Sequence, residues 1–234
     1  MASDTERPGN KLLRLLEPAA YQRLAPRLKP TTLHAKDILY KPNQPIHTVY
    51  FPATAVICQM TVMKNGDTLE TATVGMEGAS WISASFGAPS MPCETVVAIS
   101  GDARALDIGD LDREMKENAH FRDVLTQYSH ALLIHCMRMT GCTGLHSLEQ
   151  RCARWILETL DRVSADRFSI THEFLAMLLG VSRPSVSVAI EDFVRQGMLR
   201  VERARILIGD RNELLKMSCD CYAVIKQNYE QVGR

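Results

Sequence analysis

Between Leu175 and Val201 the chain reads LAMLLGVSRPSVSVAIEDFVRQGMLRV, and its apolar residues fall into two short helical periods that meet at Gly180. Phe174, Leu175, Leu178 and Leu179 form the apolar face of the first segment. Thr171 is placed to cap it, and Glu173 falls in its first turn, where negative charge is favoured. Gly180 suits the left-handed position that ends a helix. Ser182 is placed to cap the second segment, and Pro184 is tolerated because it lies in the first turn. Val186, Ala189, Ile190, Phe193 and Val194 supply the inner face, and Gly197 ends it. Two helices joined by a three- or four-residue turn containing Gly predict a helix-turn-helix. The runs MLRVE and RILIGD, around Arg203-Ala204-Arg205, predict a β-hairpin wing.

Upstream the period changes twice. Asn10 to Leu28 reads as a short helical piece. From about Thr31 to Ile108, short β-rich runs (TVYF, AVICQMTVM, TLETATV, ETVVAIS) alternate with turn signals. Asn65-Gly66 between two alternating runs predicts a hairpin. Several short strands of this kind predict a small antiparallel barrel or roll. After Asp110 the period is helical to Val163. Within it, Phe121, Leu125, Tyr128, Leu132, His135, Met139 and Cys142 are spaced 4, 3, 4, 3, 4, 3, and His146 continues the step. That is a coiled-coil seam, so these residues are expected to form a dimer interface, leaving Val124, Leu133 and Ile134 to cover the roll. A helix packed on its own roll leaves a similar period. In the seam reading His135 faces its twin across the two-fold axis, so its protonation would loosen the dimer.

The chain is therefore expected to be α+β in three parts. Residues 1–115 form an antiparallel β-roll that senses a signal, 116–146 a long dimerisation helix, and 147–234 a winged helix-turn-helix. The second helix of that motif, about Arg183 to Gln196, presents Arg183, Ser185, Ser187 and Val188 on its outer side. Arg can bind guanine O6 and N7 with two bonds, Ser can meet phosphate or base edges, and Val can meet a thymine methyl. Thr171 and Ser182 at the caps, and Arg203 and Arg205 on the wing, complete the expected DNA-contacting set, the arginines near phosphates. The same pattern also fits a plain helical hairpin in an all-helical domain.

Charge narrows the function without selecting it. Lys+Arg and Asp+Glu are both 27 in 234 residues, which argues against a sequence-blind polycationic binder but not against a local reader. From Phe168 to Arg234 there are nine Lys and Arg against eight Asp and Glu, net +1. The segment MASDTERPGNK reads as a frayed tail rather than a signal peptide, and no run approaches the roughly 20 apolar residues of a membrane span. No membrane association is expected, and a cytoplasmic location is. With seven cysteines at irregular spacing, reduced thiols are expected rather than a disulfide framework. No Gly-rich phosphate loop, nucleophile elbow or His-Glu-x-x-His is present, and His34 and His47 stand alone, so no enzyme is expected.

The order of these parts resembles the Crp/Fnr family of bacterial transcription regulators. The resemblance rests on VYFP (Val49 to Pro52), TVGMEG (Thr73 to Gly78), Cys142 with His146, DRV (Asp161 to Val163), FLAMLLGVSRPSV (Phe174 to Val186) and CDCY (Cys219 to Tyr222). It implies a cyclic-nucleotide-binding-like roll and a homodimer on a near-palindromic operator in double-stranded DNA. It also implies contact with RNA polymerase. Arg183 falls on the family's base-reading Arg. Pro184 stands where many members carry a base-reading Glu, and Val188 where many carry a second Arg, so the well-known operators are not implied.

The family's phosphate cassette is altered. Its Gly-Glu half reads Gly75-Met76-Glu77-Gly78, and its Arg position is Cys93, followed by Glu94. A phosphate needs cationic donors, and a carboxylate beside it repels it. The chain therefore resembles a subgroup lacking the cassette, and no cofactor is expected. Any effector contacts would fall on Glu77, Cys93, Glu94 and His135. Two other readings stay open: a regulatory module whose helix-turn-helix binds protein, and a thiol- or metal-responsive sensor. For the latter, Cys142 and His146 share a helix face and Cys219 and Cys221 lie two apart. Four such ligands suit tetrahedral zinc only if the fold brings them together. Four inert packing thiols are the alternative.

Overall fold

The computed structural model describes residues 9–80, 88, 90–203 and 205–234. Most of the expected N-terminal tail and the middle residue of the wing turn lie outside that set. The chain opens with helices α1 (Lys11–Arg14) and α2 (Pro18–Leu24). Seven strands follow: β1 (Lys29–Leu33), β2 (Ile38–Tyr40), β3 (Thr48–Pro52), β4 (Val56–Val62), β5 (Thr68–Val74), β6 (Cys93–Ile99) and β7 (Gly101–Asp107). They form two antiparallel sheets, ordered β1-β7-β3 and β2-β6-β4-β5. Asn65-Gly66 turns β4 into β5, with Gly66 at φ +90°, a conformation few side chains tolerate.

One face of the four-stranded sheet closes on the other sheet. Ile57, Val74 and Val97 share a buried cluster with Leu33 and Ala103. The opposite face is buried too. Cys58, Met60, Val96 and Ala98 pack into the core of the C-terminal half, with Trp155, Phe168 and Leu175. Val56 to Met60 is accordingly buried on both faces, Gln59 included.

Three helices connect the halves: α3 (Ile108–Glu117), α4 (Ala119–Leu145) and α5 (Leu148–Val163). The C-terminal half continues with β8 (Arg167–Ser169), α6 (His172–Leu179), α7 (Arg183–Arg195), β9 (Leu199–Glu202), β10 (Arg205–Ile208), α8 (Arg211–Met217) and α9 (Cys221–Glu230). Its strands form one sheet, β8-β10-β9. No single helix among the described residues is long and apolar enough to cross a membrane.

The seam on α4 is satisfied within one protomer, which corrects its expected role. Phe121, Leu125 and Tyr128 pack with Leu12, Phe51 and Leu106. Tyr128 donates to the Ala79 carbonyl at 3.1 Å. His135 is wholly buried, its Nδ1 3.1 Å from the Tyr229 hydroxyl on α9, and Cys142 lies 3.6 Å from Cys219. Met139 is buried and Leu132 is partly buried. The 4-3 spacing arises because the helix runs along a continuous surface, and here that surface is the roll followed by α9. His135 therefore faces no twin. Leu133, one of the residues expected to cover the roll, is instead 58% exposed, and Met137 is 67% exposed.

Polar groups sit inside this apolar assembly, along one side of α5. Glu158 accepts from Arg154 at 2.7 Å and from Arg162 at 2.9 Å. Arg162 also donates to Glu77 at 2.7 Å, and the Trp155 indole donates to Glu70 at 2.7 Å, so the network reaches both β5 and the corner that follows it. Glu70 accepts from Thr73 as well. His135 Nε2 lies 3.8 Å from Glu158. Burial drives the His135 pKa down to about 3, outweighing the nearby Glu158 carboxylate. Burial pushes Glu158 upward, but Arg154 and Arg162 outweigh it and hold the group at about 2. Both folded values lie below the unfolded ones. Their stabilisation is therefore present above the unfolded pKa and is lost as pH falls: from about 6.5 downward for His135, and from about 4.5 downward for Glu158.

Melting temperature should accordingly fall as pH drops from 7 to 4.5. His135→Gln should flatten that fall, removing on the order of 2 kcal/mol of pH dependence at 1.36 kcal/mol per unit. A variant profile parallel to wild type between pH 6.5 and 4.5 would show that His135 does not titrate as its burial requires.

Candidate nucleic-acid interface

The helix-turn-helix is built by its caps. The Thr171 side chain accepts from the Phe174 amide at 3.2 Å and starts α6, and Gly180, at φ +65°, ends it in the left-handed conformation. Ser182 accepts from the Ser185 amide at 3.3 Å and starts α7, with Pro184 in its first turn. The two helices bend by 109° across this turn, within the range of DNA-binding helix pairs. Val186, Ile190 and Phe193 bury one side of α7 against α5 and α6. Arg151, at the start of α5, donates to the Leu179 carbonyl at 3.0 Å and ties the end of α6 in place.

The other side of α7 faces outward. Ser182, Arg183 and Val188 are exposed, and Ser185 and Ser187 are partly so. Thr171 is also exposed, but its oxygen is engaged in the cap. Ser187 Oγ lies 2.9 Å from His172 Nδ1, so this histidine joins the surface, a contribution that helical spacing alone did not suggest. Glu191 and Asp192 place negative charge on α7, of which Asp192 pairs with Arg195 and accepts from Gln196 at 2.6 Å. Arg203 and Arg205 flank the wing turn, both exposed, and Arg203 is held at φ +47°. The result is a convex helix end, rich in hydroxyls and tipped with Arg183, beside a cationic hairpin.

The expected effector residues do not form one site. Glu77 is taken up by Arg162 and by the Gly75 amide at 3.2 Å. A side chain at Gly75 would collide with Arg162, which lies within 2.7 Å of where its Cβ would stand. Glu77 and His135 are thus members of the α5 network. Cys93 and Glu94 begin β6 opposite Thr61 and Met60 and are not among its members; Cys93 lies 3.8 Å from Met91 Sδ. An open cleft of about 640 Å³ does lie between α1, the Met76–Glu77 corner, α5 and α9. Asp161, Lys226 and Tyr222 stand on its wall and explain two of the family-like fragments: Asp161 accepts from Tyr222 at 2.7 Å and pairs with Lys226 at 3.2 Å. The fold also assembles Cys142, His146, Cys219 and Cys221, four ligand atoms all within 4.8 Å of one another.

Residues 150–217 match the family described as the Crp-like helix-turn-helix domain. The chain is similar to a putative transcriptional regulator of the Crp/Fnr family from Eubacterium rectale, with a TM-score of 0.66 at 18% identity, covering 89% of this chain and 98% of that one. It is also similar to FixK2 from Bradyrhizobium japonicum, with a TM-score of 0.67 at 17% identity, covering 82% and 98%. The c-di-GMP-responsive global regulator CLP from Xanthomonas campestris matches with a TM-score of 0.63 at 11% identity, covering 83% and 100%. Among curated proteins none matches the sequence. The chain therefore carries a Crp-like helix-turn-helix domain within the fold of Crp/Fnr transcription regulators.

Because Glu77 is engaged and the Arg position of the cassette is a cysteine, cyclic AMP or cyclic GMP at millimolar concentration should leave the melting temperature unchanged. A ligand at 100 times its dissociation constant would stabilise the fold by about 2.7 kcal/mol, a shift that thermal denaturation resolves. A clear rise in melting temperature would show that another cation reaches the phosphate.

Proposed function

We propose that this protein is a sequence-specific DNA-binding transcription regulator of the Crp/Fnr family that acts as a homodimer in the cytoplasm and contacts RNA polymerase. The observation that carries the reading is the exposed N-terminal end of α7 beside the arginine-bearing wing. The apolar side of that helix is anchored, while Arg183, Ser185, Ser187 and Val188 are turned outward. Arg183 reads a base edge, and the wing arginines meet phosphates.

The dimer uses α4, but through a row offset from the buried seam. Thr126, His130, Leu133, Met137, Thr140 and Gly144 are all exposed and are spaced 4, 3, 4, 3, 4. Leu133 and Met137 supply its apolar centre, and Gly141 and Gly144 have open space beside them, so a second helix can approach closely there. A signal received at the roll reaches the DNA-binding half through Glu77 and Arg162, at the cleft between them.

A gel shift on the protein's own upstream DNA should be sequence-dependent and should weaken as salt rises. The site should be near-palindromic, with half-site centres roughly 34 Å apart. Arg183→Ala should cost on the order of 1–3 kcal/mol and relax selectivity at one base pair per half-site, while Arg203→Ala should weaken all sequences about equally. Unchanged base preference in Arg183→Ala would remove α7 from the groove. A complete lack of shift would favour a module that binds protein.

Met137→Glu should yield a monomer by light scattering, with DNA binding lost. A dimeric Met137→Glu variant with normal affinity would place the interface elsewhere.

A further inference from the structure

We infer that Cys142, His146, Cys219 and Cys221 form a structural site for a thiophilic divalent cation of the zinc class, clamping the C-terminal end of α4 to the start of α9. Two segments 77 residues apart supply the ligands: a Cys-x-x-x-His spanning the last turn of α4 and its C-cap, His146, and a Cys-x-Cys where α9 begins. All four ligand atoms lie within 4.8 Å of one another, and two of their six separations approach tetrahedral edges. With metal–sulfur and metal–nitrogen bonds of about 2.3 and 2.0–2.1 Å, tetrahedral edges are roughly 3.8 Å between sulfurs and 3.5 Å between sulfur and nitrogen. Cys142 Sγ lies 3.6 Å from Cys219 Sγ, and Cys221 Sγ lies 3.7 Å from His146 Nδ1. The three thiols are buried and His146 is half-buried, so four protein ligands close the site without an open coordination position, as in structural rather than catalytic zinc centres.

The surroundings favour a metal over packing thiols. His146 turns Nδ1 toward the sulfurs and Nε2 toward Asp220, at 3.4 Å, and Asp220 in turn lies 3.6 Å from Arg138. A carboxylate on the far nitrogen is the usual way a ligating histidine is oriented and made more basic. Three thiolates and a neutral imidazole around a dication carry a net charge of −1. The fully buried Arg154 interacts electrostatically with Cys142, and its Nε and Nη2 have no hydrogen-bond partner, so it is placed to balance that charge. A Cys142–Cys219 disulfide would use only two of the four groups and would give no role to the approach of His146 to Cys221. Binding of Zn²⁺ displaces the thiol protons to solvent and requires no electron transfer.

Elemental analysis of the desalted native protein should find about one zinc per chain. Metal-stripped wild-type protein titrated with Co²⁺ should develop the thiolate charge-transfer and visible bands of tetrahedral cobalt, which Zn²⁺ then abolishes. Cys221→Ser and His146→Ala should lose that spectrum, and Cys93→Ser should keep it. Asp220→Asn should keep the ligand set and the spectrum but weaken affinity by about 10–100-fold. Should the ligand variants fail to fold, the wild-type cobalt titration alone decides. No tetrahedral spectrum from stripped and fully reduced wild type, an unchanged spectrum in folded Cys221→Ser, or a Cys142–Cys219 disulfide in the native protein would each overturn the site. None of these outcomes depends on DNA binding.

Discussion

The buried charges on α5 fix how the two halves of the chain meet. Arg154, Glu158 and Arg162 repeat at i, i+4 and i+8 on one helix face, yet all three are buried. They pair first with one another, Arg154 and Arg162 both donating to Glu158, and the group reaches other elements through Arg162 to Glu77 on the corner after β5 and through Glu158 to His135 on α4, 3.8 Å away. The stability of the joint comes from its apolar part: burying a Trp such as Trp155 removes on the order of 200 Å² from water, about 5 kcal/mol at 25 cal/mol per Å². A buried ion pair contributes little net stability against an apolar replacement, whereas removing one partner costs about 3–5 kcal/mol. The network therefore acts on alignment. Only one placement of α5 on the sheet pairs Glu70 with Trp155 and Glu77 with Arg162 at the same time.

That asymmetry also explains what could be read from sequence. The helix-turn-helix was legible down to its caps, because Thr171, Gly180, Ser182 and Pro184 act on backbone only a few residues away. The Asn65-Gly66 hairpin was legible for the same reason. The strands of the roll were legible where their runs were apolar. β7, with Asp102 and Arg104 along it, was not, because its pairing with β1 and β3 is decided by distant segments. β8 is three residues long and forms only because β10 lies beside it.

The seam on α4 shows a different limit. A 4-3 period states that a helix lies along something; it does not state what. The chain carries two such rows on one helix, Phe121 to Cys142 and Thr126 to Gly144. The more apolar row belongs to the protomer, because it must match a fixed surface of roll and α9 side chains. The weaker row, with Leu133 and Met137 at its centre, remains exposed. His135 fits the same logic. A titratable ring in a seam suggests a switch, but burial between Tyr229 and Glu158 makes it a neutral member of the core at physiological pH.

Two residues, His146 and Ser147, separate α4 from α5, and this short connection joins the roll side to the helix-turn-helix half. A link so short does not set orientation by itself, since Ser147 serves only as the cap of α5. Beside the shared apolar core, polar groups bear on orientation on both sides of this connection. The Glu77–Arg162 pair holds α5 to the roll, and the Cys/His cluster holds α9 to α4. A rotation of the helix-turn-helix about the connection would have to break one or both. Since buried pairs resist partial opening more than they add to net stability, such a joint has few intermediate positions.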